Sequence, residues 1–317
     1  MLWAVMDTVE SGVPRIPVGE WIDTGFDWIK TNFREFFRLV ADLIETAVEG
    51  LAGLLLAPPA IVIVILLSLL AWLARDWKLA VGSFLSLVAV IGMDQWDNSM
   101  DTLALVVVAT VIALVIAIPL GVAAARWDGF SAAIRPVLDL MQTMPAFVWL
   151  VPVVTLFSIG VPGGLVGTVI FALPPGVRLT ELGIRQVDRE VVEAGHAFGG
   201  TPRQILRGIQ FPLAMPTIMA GVNQVIMLAL SMAVIAGLVG AGGLGGAVVS
   251  AISTLNIGLG FEAGLSVVVL AIYLDRVTAS VGEGGFALLR RRRGRPAATA
   301  EPADAVDAET DDRKAMV

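Results

Sequence analysis

Long uncharged stretches broken by short clusters of Arg, Asp and Glu organise this chain. A charge at bilayer depth costs about 2.5–3.5 kcal/mol on insertion scales, so such stretches predict transmembrane helices. No charge falls between Glu49 and Arg75, and Pro58–Leu73 fits a first span. Leu79–Met93 fits a short second span, and Asp101 and Arg126 bracket a third. The stretch from Asp139 to Arg178 is long enough for two crossings, divided at Gly160-Val161-Pro162-Gly163-Gly164. Between Arg207 and Glu262 the pattern predicts a sixth span at Leu213–Leu238, a re-entrant or surface segment, and a seventh span at Phe261–Ala279. A Gly-rich run, Gly240 to Gly246, separates the sixth span from that segment and reads as a tight, flexible link.

Lys and Arg alternate between the connecting segments. Arg75 and Lys78, then Arg126 and Arg135, then Arg178 to Arg207, then Arg276 and Arg290–Arg293 occupy every second segment and so share one side, and the intervening segments 94–101, 158–164 and 240–260 hold none. Cytoplasmic loops carry the excess of positive charge. The alternation therefore predicts seven spans with the N-terminus outside and the C-terminus inside, in a plasma membrane.

Residues 1–57 show a different period. Ile22, Phe26, Ile29, Phe33, Phe36, Val40, Leu43, Ala47 and Leu51 recur at three- and four-residue steps, with acids and bases on the other face. That is an amphipathic, extracytoplasmic segment lying on the membrane or packed on the bundle. Residues 58–284 form the transmembrane domain. Residues 285–317, basic and then acidic without periodicity, predict a disordered cytoplasmic tail.

Composition agrees. Only 15% of the 317 residues are charged and 57% are hydrophobic, with a mean hydropathy of +0.84. A soluble surface needs about 25% charged residues. The net charge of -7 argues against a nucleic-acid partner. With no cysteine and a single histidine, His196, neither thiolate chemistry nor a multi-histidine metal site is available.

One connecting segment carries structure of its own. Within 179–212 the pattern predicts a helix over Val187–Phe198, stopped by Gly199-Gly200, and a second helix opening at Thr201-Pro202-Arg203-Gln204. Thr201 suits the N-cap, Pro202 the first helical position and Gln204 the capping box. Pro212 is expected to close it. Glu193 is expected to pair with Arg189 one turn earlier.

Glu193-Ala194-Gly195, then Gly199, then Ile209-Gln210-Phe211-Pro212 resembles the EAA loop of ABC-transporter permeases, with Gly195 in place of the second alanine and Phe211 in place of leucine. Two further runs, Met141-Gln142-Thr143-Met144-Pro145-Ala146-Phe147-Val148-Trp149 and Phe211 to Gln224, are similar to the glycine betaine/proline permeases, with Trp149 where a tyrosine is expected. The resemblance implies an all-α type I ABC importer permease. Its coupling loop spans 185–212 and includes Glu193, Ala194, Gly195, Gly199, Arg203, Ile209 and Pro212. It also implies a homodimer that carries two copies of a separate cytoplasmic ATPase and receives substrate from an extracytoplasmic binding protein.

The chain has no G-x-x-x-x-G-K-[ST] loop. ATP and Mg are thus expected on the partner ATPase, with no cofactor and no enzymatic activity in this chain. The polar or aromatic residues Gln142, Thr143, Phe147, Trp149, Asn223, Gln224 and Ser231 are candidates for the translocation path. Their other reading is interhelical hydrogen bonding. Phe147 and Trp149 offer aromatic faces to a quaternary ammonium. Methionine, taurine or amino-acid permeases share the loop and remain alternatives. A secondary transporter would need intramembrane acids, and spans three to six are expected to have none.

Overall fold

The computed structural model describes residues 17–282, all in helices or the turns between them, with no strand among the described residues. Residues 285–317, including the Arg290–Arg295 cluster, lie outside the described residues. The helices are α1 (Val18–Asn32), α2 (Arg34–Leu56), α3 (Ala60–Ala74), α4 (Trp77–Gly92), α5 (Trp96–Arg126), α6 (Asp128–Thr143) and α7 (Leu150–Phe157). They continue with α8 (Val161–Arg185), α9 (Arg189–Ala197), α10 (Pro202–Ile205), α11 (Phe211–Ala236), α12 (Gly243–Thr254) and α13 (Ile257–Gly282).

Helices α5, α8, the run Pro202–Val239 that contains α11, and α13 are each long and apolar enough to cross a membrane. The first two expected spans are shorter. α3 has 15 residues and α4 has 16, against the ~20 a straight crossing takes. The fourth expected span is not one rod. α6 and the stretch Ala146–Phe157 meet at 108°. Pro145 is the cause, because the residue before a proline avoids the helical region. Met144 is accordingly extended, at φ -71° and ψ 137°. Pro58-Pro59 likewise separates α2 from α3, which meet at 101°.

The core is the packing of α8 against α11 and α5. Leu165, Ala172, Val177, Val225, Ala229, Val106, Ala109 and Ala113 are all buried there. Lipid supplies no hydrophobic drive for helix association, so close approach through small residues carries it. A methyl on Gly176 would lie 2.9 Å from the Ala117 Cβ and 3.0 Å from a Val225 methyl.

The two ends of the bundle differ in charge. At one end the Gly160 N–H donates to the Val239 carbonyl at 2.8 Å and the Leu244 N–H to Thr102 Oγ1 at 2.8 Å. This gathers the turns that lack Lys and Arg. At the other end Arg185 Nη2 donates to the Ala124 carbonyl at 2.8 Å, and Arg189 borders a groove with Ala125 and Arg185. The Gly-rich run is packed rather than loose. Gly237 approaches the Gly245 backbone so closely that a Cβ would come within 2.2 Å of it. α12, with 12 residues, is the short non-spanning segment expected there.

α2 packs on the bundle by a face that shares Val40 and Leu51 with the expected stripe but is centred elsewhere. Ile44, Val48 and Ala52 are buried, whereas Phe36 and Leu43, members of the expected stripe, are exposed. The helix carries two apolar stripes, and only one can meet α5 and α8. The periodic series also breaks at Phe33, between α1 and α2.

Candidate coupling loop and translocation path

α8 continues to Arg185, so the loop begins later than position 179. Asp188 opens α9 by accepting from the Glu190 N–H at 2.9 Å. The helix stops where expected. Gly199 has φ +77°, and the Gly200 N–H returns to the Gly195 carbonyl at 3.1 Å. A left-handed residue at this position favours glycine. Thr201 and Gln204 form the full capping box, with the Thr201 N–H donating to Gln204 Oε1 at 2.8 Å.

The two arms of the loop pack through Gly195. A methyl there would lie 2.6 Å from Ile209 Cδ1, and Ile205 beneath it is buried. The glycine in place of the motif's alanine therefore accommodates the isoleucine. Ala194, Glu193 and Arg203 are exposed. Glu193 forms no ion pair with Arg189, contrary to expectation. Both side chains instead border a cavity of about 240 Å³ with Arg185 and Gln210, between α9 and the ends of α5 and α8. Phe198, at the tip of the loop, is 93% exposed. In the sequence it stands only as the expected end of a helix.

Pro212 does not close the second arm. Pro202 to Val239 is one helical run of 38 residues. A proline in a helix has no N–H and crowds the carbonyl four residues earlier. The helix relieves this by widening into a π turn over Leu206–Gln210, where the Phe211 N–H reaches the Leu206 carbonyl. The loop and α11 are thus continuous backbone.

The candidate path residues separate into two groups. Gln142 and Thr143 end α6 and are exposed, and Phe147 is 59% exposed just past the break. Gln224 and Ser231 are exposed on one stripe of α11 together with Ala220 and Met227. Asn223 and Trp149 are engaged with protein. Asn223 Nδ2 donates to Asp275 at 2.8 Å and its Oδ1 accepts from Thr278 at 2.9 Å, joining α11 to α13. Trp149 Nε1 donates to the Met141 carbonyl at 3.2 Å, bracing the break.

Glu181, three residues beyond the Arg178 that bounds the fifth expected span, is buried near the basic end of α8. Its Oε1 accepts from Ser131 Oγ at 2.7 Å and from Arg185 Nε at 2.9 Å. Among the described residues no group of His, Asp and Glu is arranged to hold a metal.

The model of the binding-protein-dependent transport system inner membrane component family matches residues 117–282, from the last turns of α5 to the end of α13. The chain belongs to that family. This permease is 47% identical over 277 residues to the glycine betaine/proline betaine transport system permease protein ProW of Escherichia coli, covering 87% of this chain and 78% of that one. It is 44% identical over 269 residues to the glycine betaine transport system permease protein OpuAB of Bacillus subtilis, covering 85% and 95%. It is 45% identical over 270 residues to the glycine betaine/carnitine transport permease protein GbuB of Listeria monocytogenes, covering 84% and 95%. A chain of the inward-facing MetNI methionine ABC transporter superposes with a TM-score of 0.51 at 23% identity, over 57% of this permease and 91% of that chain. That likeness speaks for the type I importer fold alone. The permease is therefore the multi-pass inner-membrane component of a binding-protein-dependent ABC importer.

Proposed function

We propose that this permease imports a quaternary ammonium compatible solute, glycine betaine or proline betaine. The observation that carries the reading is the 47% identity to a glycine betaine/proline betaine permease over most of both chains. The working unit is a homodimer. Two copies of a cytoplasmic ATPase bind ATP and Mg, and an extracytoplasmic binding protein delivers the solute. The N-terminus lies outside and the C-terminus inside, as the basic end of the bundle supports.

In this reading the loop of Glu193, Ala194, Gly195, Gly199, Arg203 and Ile209 seats on the ATPase, with Phe198 as its apolar tip. Because the backbone runs unbroken through Pro212 into α11, movement of the seat tilts that helix. Solute passes along the exposed faces that carry Gln142, Thr143, Phe147, Gln224 and Ser231. Phe147 presents its ring to the methylated nitrogen, and Asn223 and Trp149 hold the surrounding helices.

Uptake of labelled glycine betaine and proline betaine, by cells expressing this permease with the ATPase and binding protein of its operon, tests the reading. Saturable uptake competed by both betaines is expected. Uptake of methionine or taurine, with no competition by betaines, would overturn it.

A further inference from the structure

Asp128, Ser131, Arg135 and Asp139 follow one another along α6 at steps of three and four residues, which places them on one face. Arg178, Glu181 and Arg185 do the same on α8. The two rows run in opposite directions and match group for group. Asp128 pairs with Arg185 at 2.7 Å. Ser131 and Arg135 both reach Glu181, at 2.7 and 3.4 Å. Asp139 pairs with Arg178. Glu181 is the centre of the row and its least exposed charged member, with a side chain 8% accessible.

Position makes this row more than a brace. α8 enters the loop through residues 186–188 alone, so displacement of α9 acts directly on the last turns of α8. α6 ends at the 108° break, beyond which stand Phe147 and Trp149. Glu181 spans the gap between the two helices. A buried carboxylate that loses its partners is strongly destabilising. α6 must therefore follow α8 wherever the loop drives it, and the extended Met144–Pro145 link absorbs the change in angle.

We infer that Glu181 is a positioning residue through which motion of the coupling loop reaches α6 and the candidate path. This rests on the proposed coupling of the loop to an ATPase. The chain has no cysteine, so paired spin labels can be introduced cleanly. One pair joins exposed Leu69 on α3 to exposed Leu140 on α6, and the other joins Leu69 to exposed Val191 on α9. Distances are measured in the assembled transporter, without nucleotide and after trapping with ATP and vanadate.

In the unaltered protein both distances are expected to change. With Glu181→Ala the α9 distance still changes in full, the α6 distance changes less because only the Asp128–Arg185 and Asp139–Arg178 pairs remain, and solute imported per ATP hydrolysed falls about twofold to thirtyfold, the span that mutations along a coupling network produce. The double variant Ser131→Ala/Arg135→Ala removes the same contacts from the α6 side and is expected to act alike, whether or not Glu181→Ala folds. An α6 distance that changes as much as in the unaltered protein in either variant, with normal import per ATP, would overturn the role of Glu181. If neither distance changes in the unaltered protein, the coupling reading itself fails and the inference falls with it.

Discussion

Ser131 on α6 and Glu181 on α8, separated by 50 positions in the chain, share a 2.7 Å hydrogen bond inside the helix bundle. The bond joins two helices with distinct duties in a transporter. α8 leads into the proposed coupling loop, and α6 leads to the broken segment beside the candidate path. Glu181 accepts at the same time from Arg185, so its charge is stabilised from its own helix and from its neighbour.

The packing of the loop arms predicts opposite outcomes for two glycines. In Gly195→Ala the new methyl crowds the far end of the Ile209 side chain, which can turn aside, and meets Ile205 at an ordinary 3.4 Å. Uptake is expected to stay within about twofold of normal, less than about 0.5 kcal/mol. In Gly200→Ala the methyl would lie 2.8 Å from the Gly195 carbonyl oxygen, which is backbone. Reduced co-purification of the ATPase, with the permease still in the membrane, is the expected result.

Gly237 and Gly246 form a second contrast. A Cβ on Gly237 would come within 2.2 Å of the Gly245 backbone, whereas one on Gly246 meets nothing within 4 Å. Gly237→Ala is expected to destabilise the protein by about 1–3 kcal/mol, the range for overpacking a tight contact. Gly246→Ala should leave the thermal midpoint in detergent unchanged. Equal midpoints for the two variants would contradict the close approach.

Asn223 and Asp275 lend themselves to a double-mutant cycle. Interhelical hydrogen bonds in membranes contribute about 0.6–2 kcal/mol. Asn223→Ala and Asp275→Ala should each destabilise the protein, and the double variant should cost less than the sum of the two. Because both side chains face each other rather than an open face, the ranking of competing solutes in uptake assays should not change.

Orientation is checked with single cysteines, since the chain has none of its own. Ser253 and Thr201 are both exposed, at opposite ends of the bundle. Ser253→Cys should react with an impermeant thiol reagent in intact cells, and Thr201→Cys only after permeabilisation. The reverse pattern would invert the proposed topology.

Local signals carried the loop. The Gly199 stop and the Thr201–Gln204 capping box depend on neighbours within a few residues, and both stand in the structure as the sequence indicates. The role of Pro212 was harder to read, because a proline marks either an end or a distortion and only the surrounding π turn decides between them. The row between α6 and α8 was invisible for another reason. Its partners lie 46 and 50 positions apart, and Arg135, Arg178 and Arg185 each read equally well as charges that fix topology. The buried face of α2 depended on which of two apolar stripes meets the bundle, and that is settled by helices far along the chain.

The unbroken run from Pro202 to Val239 holds 38 residues, about 57 Å of helix at 1.5 Å per residue. Alongside it α8 is seated at close intervals, from Gly183 against Ala214 and Thr217 to Gly164 against Ala236. The two helices are meshed from Ala214 to Ala236, about 33 Å, and over that stretch behave as a single stiff beam. A tilt of about 5° displaces one end of the 38-residue run by about 5 Å relative to the other. The two mouths of the bundle are thereby reduced to one mechanical coordinate: the beam cannot shift at the end that carries the loop without a matching displacement at the opposite end.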